Sequence, residues 1–184
     1  MKIILCGYKL IGCEILSSLL KRNYEVYVYT HESPFFIHDL KQACINHDIE
    51  FSTKKISIDN IPFKPDLICV AYYNYIIPKD IINFCDNKIF NIHPSLLPKF
   101  RGCSSITWAL INNEKYTGFT YHYIDKNIDT GNIIFQKEIK INSYDTGGSL
   151  YMKVMLEAAD HFEYVLKMIE RGHEGTPQIG DGEY

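Results

Sequence analysis

Three features of the amino-acid sequence predict an α/β fold built on a mostly parallel sheet flanked by helices, with antiparallel strands added in the second half. Short apolar runs such as Lys2 to Cys6, Asp66 to Ala71 and Lys88 to Ile92 do not alternate with polar residues, which is the pattern of strands buried on both faces. Segments with apolar residues at helical spacing lie between them. After Pro98 the rhythm changes to two alternating segments around a polar turn, which reads as an antiparallel pair.

The elements follow in order. Lys2 to Cys6 ends at Gly7, and Ile11 to Leu20 then repeats apolar residues at helical spacing, giving a strand, a tight turn and a helix. Glu25 to Thr30 is β-rich and alternates, so it is the next strand, and a helix is expected from about Phe36 to His47. Asp66 to Ala71 is a third strand. Pro78 suits the first turn of a short helix through Phe84, and Lys88 to Ile92 is a further buried strand. To this point the pattern is doubly wound and Rossmann-like. Ser105 to Ile111 reads as a helix, and Phe119 to Ile124 and Ile133 to Ile141 as strands around the turn from Asp125 to Gly131. From Gly148 to Arg171 apolar residues recur at Leu150, Val154, Met155, Ala158, Phe162, Val165, Leu166 and Ile169, a long amphipathic helix closed by Gly172. The tail from Glu174 to Tyr184 has three Gly, one Pro and no periodicity.

The 184 residues, 46% apolar and 22% charged, suit one domain with a self-supporting core. Nineteen Lys plus Arg against 22 Asp plus Glu give a net charge of -3, so the overall field attracts neither nucleic acid nor an anionic membrane. No apolar run approaches the roughly 20 residues that span a bilayer, and the first apolar run reaches Gly7 too soon for a signal segment; a cytoplasmic protein is expected. The six cysteines, at 6, 13, 44, 69, 85 and 103, form no C-x-x-C pair and mostly sit in apolar runs. They read as buried, reduced thiols, with neither a zinc site nor a disulfide framework.

Gly7 to Gly12 sits where a dinucleotide fingerprint would sit but reads G-x-x-x-x-G. The middle glycine that admits a pyrophosphate is missing, which disfavours a nicotinamide or flavin cofactor. What remains is either an ordinary turn or a looser phosphate contact at a helix N-terminus, with Tyr8 and Lys9 beside it. The most informative stretch is Phe90 to Gly102. Asn91 and His93 lie two apart at the C-terminal end of a strand, so they share a face where open α/β sheets place ligands. One is an amide donor and the other a titratable imidazole, a pair able to stabilise an oxyanion and handle a proton. The turn Asp125-Lys126-Asn127-Ile128-Asp129 holds two carboxylates that either serve the turn conformation or, for one of them, contact His93.

Together these segments resemble the N10-formyltetrahydrofolate-dependent formyltransferases. Their catalytic trio of Asn, His and Asp is matched by Asn91 and His93 in N-I-H-P-S-L-L-P-K-F-R-G and by Asp129 in I-D-T-G-N-I. Within that family the chain is most similar to the sugar-nucleotide N-formyltransferases, on the stretches Gly7 to Cys13, Tyr29 to His31, Ala71 to Tyr73 and Thr120 to Tyr123. The resemblance implies the formyltransferase fold, one catalytic domain over residues 1–184, and the absence of the small C-terminal domain that relatives carry. It implies N10-formyltetrahydrofolate as co-substrate, no metal, and a pterin held by Tyr75, Ile76, Ile77 and the turn Asp125, Lys126, Asn127 and Ile128. One departure is Cys103, where arabinose-pathway relatives have an arginine that helps bind the folate.

The reaction so implied is attack by an uncharged sugar amine, such as that of dTDP-4-amino-4,6-dideoxyglucose, on the formyl carbon. Asn91 and a protonated His93 are expected to stabilise the oxyanion, at about 3 kcal/mol per donor. Asp129 is expected to orient His93, raise its pKa and assist removal of the amine proton. Gly102 and Gly131 are expected to let loops approach the ligands, and Tyr8, Lys9 and Arg101, with Lys99, to meet the nucleotide sugar and its diphosphate. The implied partners are a small-molecule sugar nucleotide and folate, without nucleic acid or membrane, with a homodimer as the candidate assembly and lipopolysaccharide or O-antigen sugars as the destination. The rival readings are a methionyl-tRNA or glycinamide ribonucleotide formyltransferase, a hydrolase of the same formyl donor, and a silent sugar-nucleotide-binding domain.

Overall fold

β1 (Lys2–Gly7) forms on an apolar run and has Ile3, Ile4, Leu5 and Cys6 fully buried. The computed structural model describes residues 1–32, 39–86, 88–180 and 182 and divides into two compact units, Met1–Phe90 and Asn91–Tyr184.

In the first unit β1 leads into α1 (Lys9–Leu20), β2 (Glu25–Tyr29), α2 (Leu40–Asn46), β3 (Phe51–Ser52), β4 (Leu67–Ala71) and α3 (Lys79–Phe84). β1 pairs in parallel with β2 and β4, and β2 with β3. The short β3 was not expected from the sequence: two residues carry no periodicity, and only the pairing of Val28 with Phe51 and of Tyr29 with Ser52 defines it. α1 buries Leu10, Ile11, Ile15, Leu16 and Leu19, at roughly 1.5–3 kcal/mol per large apolar side chain. The glycines of the G-x-x-x-x-G turn have a local reason. A Cβ on Gly12 would come within 2.8 Å of Leu40 Cδ2, and one on Gly7 within 3.1 Å of the same atom. α2 is capped by Asp39, whose carboxylate accepts from Lys41 N–H at 3.0 Å. The earlier start expected for this helix, at about Phe36, lies outside the described residues.

β5 (Ile89–His93) carries the division between the units. The second unit continues with α4 (Ser105–Ile111), β6 (Tyr116–Tyr123), β7 (Ile133–Lys140) and α5 (Gly147–Glu170). The seven strands run in the order β3-β2-β1-β4-β5-β6-β7, with β6 and β7 antiparallel, which is the mostly parallel sheet with added antiparallel strands that the sequence predicts. α5 starts at a capping box in which Thr146 Oγ1 accepts from Ser149 N–H at 3.2 Å and Ser149 Oγ accepts from Thr146 N–H at 2.9 Å. Its stripe of Leu150, Val154, Met155, Ala158, Phe162, Val165 and Leu166 is buried. Tyr121 of β6 donates to the Ala158 carbonyl at 2.7 Å, satisfying a buried hydroxyl. No helix among the described residues is long and apolar enough to cross a membrane.

Candidate active site

Alternation along β5 sends Asn91 and His93 to one face. His93 is 4% exposed, and its Nε2 lies 2.8 Å from the Phe100 carbonyl. A carbonyl only accepts, so Nε2 carries the proton. Phe100 offers that oxygen from left-handed backbone, with φ 54°. The other nitrogen, Nδ1, faces Asp129 Oδ2 at 3.4 Å.

β6 supplies a further group that the sequence did not single out. His122 is buried, and its Nδ1 donates to the Tyr123 carbonyl at 2.8 Å. Its Nε2 stands 3.3 Å from Asp129 Oδ1 and 3.3 Å from Asn91 Nδ2. A bulge aims it there: Tyr121 pairs with Phe135 but His122 pairs with Ile133, so Ile134 is passed over. Bulges of this kind redirect a side chain relative to regular pairing. The signal in the sequence was the alternation of Phe119 to Ile124, but a one-residue skip in the partner strand cannot be read from it.

Asp129 is where these groups meet. Its Oδ2 accepts from Gly102 N–H at 2.8 Å, and its Oδ1 accepts from Asn91 Nδ2 at 3.4 Å. The residue is itself left-handed, with φ 53°, a conformation Asp tolerates better than most. Burial alone would raise its carboxyl pKa, but the hydrogen bond from His122, the electrostatic pull of His93 and His122 in the acid range where Asp129 titrates, and the Gly102 amide together bring it down to about 2. For His93 the balance is the reverse. Burial lowers its pKa and outweighs the upward pull of Asp129 and of the Phe100 carbonyl, while His122 adds to the lowering. Burial therefore favours a neutral resting imidazole over the protonated His93 expected as oxyanion donor, with the N–H at Nε2 committed to Phe100.

The turn around Asp129 is braced from within. Asp125 accepts from Asn127 N–H at 3.0 Å and from Thr130 Oγ1 at 2.7 and 2.8 Å, so its carboxylate serves the turn. Lys126, Asn127 and Ile128 are exposed. Gly131 is needed because a Cβ there would lie 1.9 Å from the Tyr123 carbonyl oxygen; the close approach is to its own chain. Gly102 has open space around it and is needed for its φ of 82°. The loop from Pro94 to Ser104 hangs on Thr120 and Gln136. Thr120 Oγ1 donates to the Ser95 carbonyl at 2.7 Å and accepts from Leu97 N–H at 3.2 Å, while Gln136 Nε2 donates to the Leu97 carbonyl at 3.0 Å.

The remaining sequence candidates have these places. Arg101 donates from Nε and Nη2 to Gln178 Oε1, at 3.2 and 2.7 Å, and Lys99 pairs with Glu114 at 3.1 Å. In the first unit Tyr8 is buried with its ring edge-on to His31, and Lys9 Nζ lies over the Tyr72 ring, 4.8 Å from its centroid. Tyr75 and Ile76 are exposed, whereas Ile77 is buried. Among the described residues no group of three or more His, Cys, Asp or Glu side chains is placed to hold a metal ion.

The formyl transferase family matches residues 36–166 of the chain, a span that contains Asn91, His93, His122 and Asp129. The chain belongs to the formyl transferase family. It is 30% identical over 191 aligned residues to the GDP-perosamine N-formyltransferase of Brucella melitensis biotype 1, covering 100% of this chain and 74% of that protein. It is 38% identical over 182 residues to the bifunctional polymyxin resistance protein ArnA of Wigglesworthia glossinidia brevipalpis, covering 92% of this chain but 28% of that protein. A methionyl-tRNA formyltransferase of Clostridioides difficile is 32% identical over 187 residues, covering 94% of this chain and 60% of that protein. Among solved structures, the N-formyltransferase from Helicobacter canadensis, in complex with folinic acid and dTDP-3-aminofucose, superposes with a TM-score of 0.87 at 25% identity, over 100% of this chain and 70% of that one. This formyl transferase chain thus spans widely different shares of its relatives.

Proposed function

We propose that this formyl transferase moves a formyl group from N10-formyltetrahydrofolate to the amino group of a nucleotide-linked amino sugar, with the dTDP-4-amino-4,6-dideoxyglucose type as the first acceptor to test. The observation that carries the reading is the gathering of an amide donor, a neutral buried imidazole and a strongly acidic carboxylate around Asp129, all within 3.4 Å. The kinds of acceptor named for the Brucella and Helicobacter relatives support the amino-sugar half of it.

Formyl transfer to an amine needs two services from a protein: a donor for the oxygen that becomes negative, and an acceptor for the proton the attacking amine must lose. The donor set fits both. Asn91 Nδ2 supplies N–H groups beside Asp129, and a preorganised donor of this kind is worth about 3 kcal/mol. His93 holds its only proton at Nε2 against Phe100, so the lone pair at Nδ1 is the basic position. A proton arriving there lies between Nδ1 and Asp129 Oδ2, and the carboxylate stabilises the imidazolium as it forms. The folate supplies a formyl carbon activated by its nitrogen leaving group. Asn91, His93 and Asp129 would then act as oxyanion donor, proton acceptor and counter-charge.

The test is incubation with N10-formyltetrahydrofolate and a panel of dTDP-, UDP- and GDP-linked 4-amino sugars, glycinamide ribonucleotide and methionyl-tRNA, read by mass spectrometry. His93→Ala and a reaction without acceptor serve as controls. Formylation of a sugar nucleotide, lost in the variant, is expected. Formylation confined to glycinamide ribonucleotide or methionyl-tRNA, or formate release without any acceptor, would overturn the proposal.

A further inference from the structure

The segment that follows α5 returns to the turn carrying Asp129 and is fastened there from His173 to Gln178. The Tyr123 hydroxyl donates to the His173 carbonyl, and Asn132 Nδ2 donates to the Glu174 carbonyl at 3.1 Å. Gly175 is left-handed, with φ 72°, and a Cβ there would come within 2.9 Å of both Asn132 Cβ and the Ile133 carbonyl oxygen. Thr176 and Ile133 then exchange both backbone hydrogen bonds, each at 2.8 Å. This bridge fixes the backbone two residues before Gln178.

The Gln178 carboxamide is used at both ends. Its Nε2 donates to the carbonyls of Asp129 and Gly131, at 2.8 and 2.9 Å. Its Oε1 accepts from Nε and Nη2 of Arg101. Two N–H groups meet two carbonyls, and one carbonyl meets a guanidinium fork, so a carboxamide is the side chain that satisfies every partner. The carbonyls it holds are those of Asp129 itself, whose left-handed backbone aims the carboxylate at His93, His122 and Gly102, and of Gly131 two residues on. Arg101 is the residue before Gly102, whose amide donates to that carboxylate at 2.8 Å. Gln178 therefore clasps both chain segments that meet at Asp129.

We infer that Gln178 is a positioning residue: it fixes the Asp129 turn against the Arg101–Gly102 segment and so sets where the Asp129 carboxylate stands. It acts through Asp129 and touches no reacting atom. Its effect on rate rests on the proposed formyl transfer, while its effect on geometry does not.

Two variants separate the contacts. Gln178→Met keeps the length of the side chain and removes all its hydrogen bonds. Gln178→Glu keeps an acceptor for Arg101 but has no N–H for the two carbonyls. With thermal melting as a check on folding, both are expected to lower kcat about ten- to a hundredfold, the range for a small misplacement of a reacting group, with KM for the acceptor changed far less. Hydrogen exchange at the Gly102 amide, read by NMR, reports the Asp129 contact directly and is expected to speed up in both. Should Gln178→Met fail to fold, Gln178→Glu carries the test alone. If the wild-type chain formylates none of the acceptors offered, the proposed function fails and Gly102 exchange alone decides this inference. Wild-type protection of Gly102 in a folded variant, whatever the rate, overturns it, and so does a wild-type kcat.

Discussion

Replacing Asp129 by Asn keeps the shape of the side chain and removes its charge, and the consequences can be worked out from its surroundings. The carboxyl titrates at about 2 against an ordinary 3.8. The drop from 3.8 to about 2, at about 1.4 kcal/mol per unit, corresponds to about 2–3 kcal/mol of folding stability. The sign follows from the depressed value. The contribution is fully present above the unfolded pKa of 3.8 and is lost as pH falls towards 2. Urea unfolding of wild type and Asp129→Asn should therefore differ most between pH 5 and 7, with the gap closing below pH 4. The same substitution removes the group that pulls the His93 pKa upwards, so NMR titration of the His93 imidazole should move to lower pH in the variant. Under the proposed reaction kcat should fall by about 10²- to 10⁴-fold, the usual size of a general acid–base contribution. A variant with wild-type urea stability at pH 7 and an unmoved or raised His93 midpoint would refute the reasoning.

Further expectations follow from neighbouring residues. His93 is held neutral by burial, so below its ordinary 6.5 the unfolded chain takes up a proton that the folded chain resists, and stability drops as pH falls; His93→Gln should flatten the loss between pH 7 and 5 in urea melts. Gly131→Ala places a Cβ 1.9 Å from the Tyr123 oxygen and should lose the Asp129 turn, whereas Gly102→Ala meets nothing within 4 Å and should cost only the left-handed penalty of about 1–2 kcal/mol; thermal melts of the two distinguish steric from conformational need. Phe162→Ala in the fully buried stripe of α5 should cost about 3–5 kcal/mol in urea and leave the His93 titration in place.

The elements most legible in the sequence were those whose signal is local. Apolar runs mark β1, β4 and β5, the stripe from Leu150 to Leu166 marks α5, and the spacing of Asn91 and His93 puts them on one face of a strand. What escaped depends on other chain segments. β3 is two residues long and exists through its pairing with β2. His122 reaches Asp129 because β7 skips Ile134. The charge state of His93 turns on burial, which a motif does not display: Asp129 was expected to dominate, and desolvation outweighs it. The tail after Gly172 looked featureless because its order comes from Ile133 and the turn at Asp129 rather than from periodicity.

Under the proposed reaction, a resting His93 kept neutral by burial determines how the proton moves. An uncharged amine attacks, the proton it sheds from the tetrahedral intermediate passes to Nδ1, and the pair becomes an imidazolium beside a carboxylate that can hand the proton to the leaving nitrogen. The burial that lowers the His93 pKa makes the transfer reluctant, and the carboxylate 3.4 Å away offsets that reluctance. The same burial makes the imidazolium a ready donor once a leaving nitrogen needs a proton. Under the proposed reaction, the opposition between desolvation and the carboxylate suits His93 to take up a proton and give it back within one turnover, with Asp129 held by Gly102, His122 and, on the inference above, Gln178.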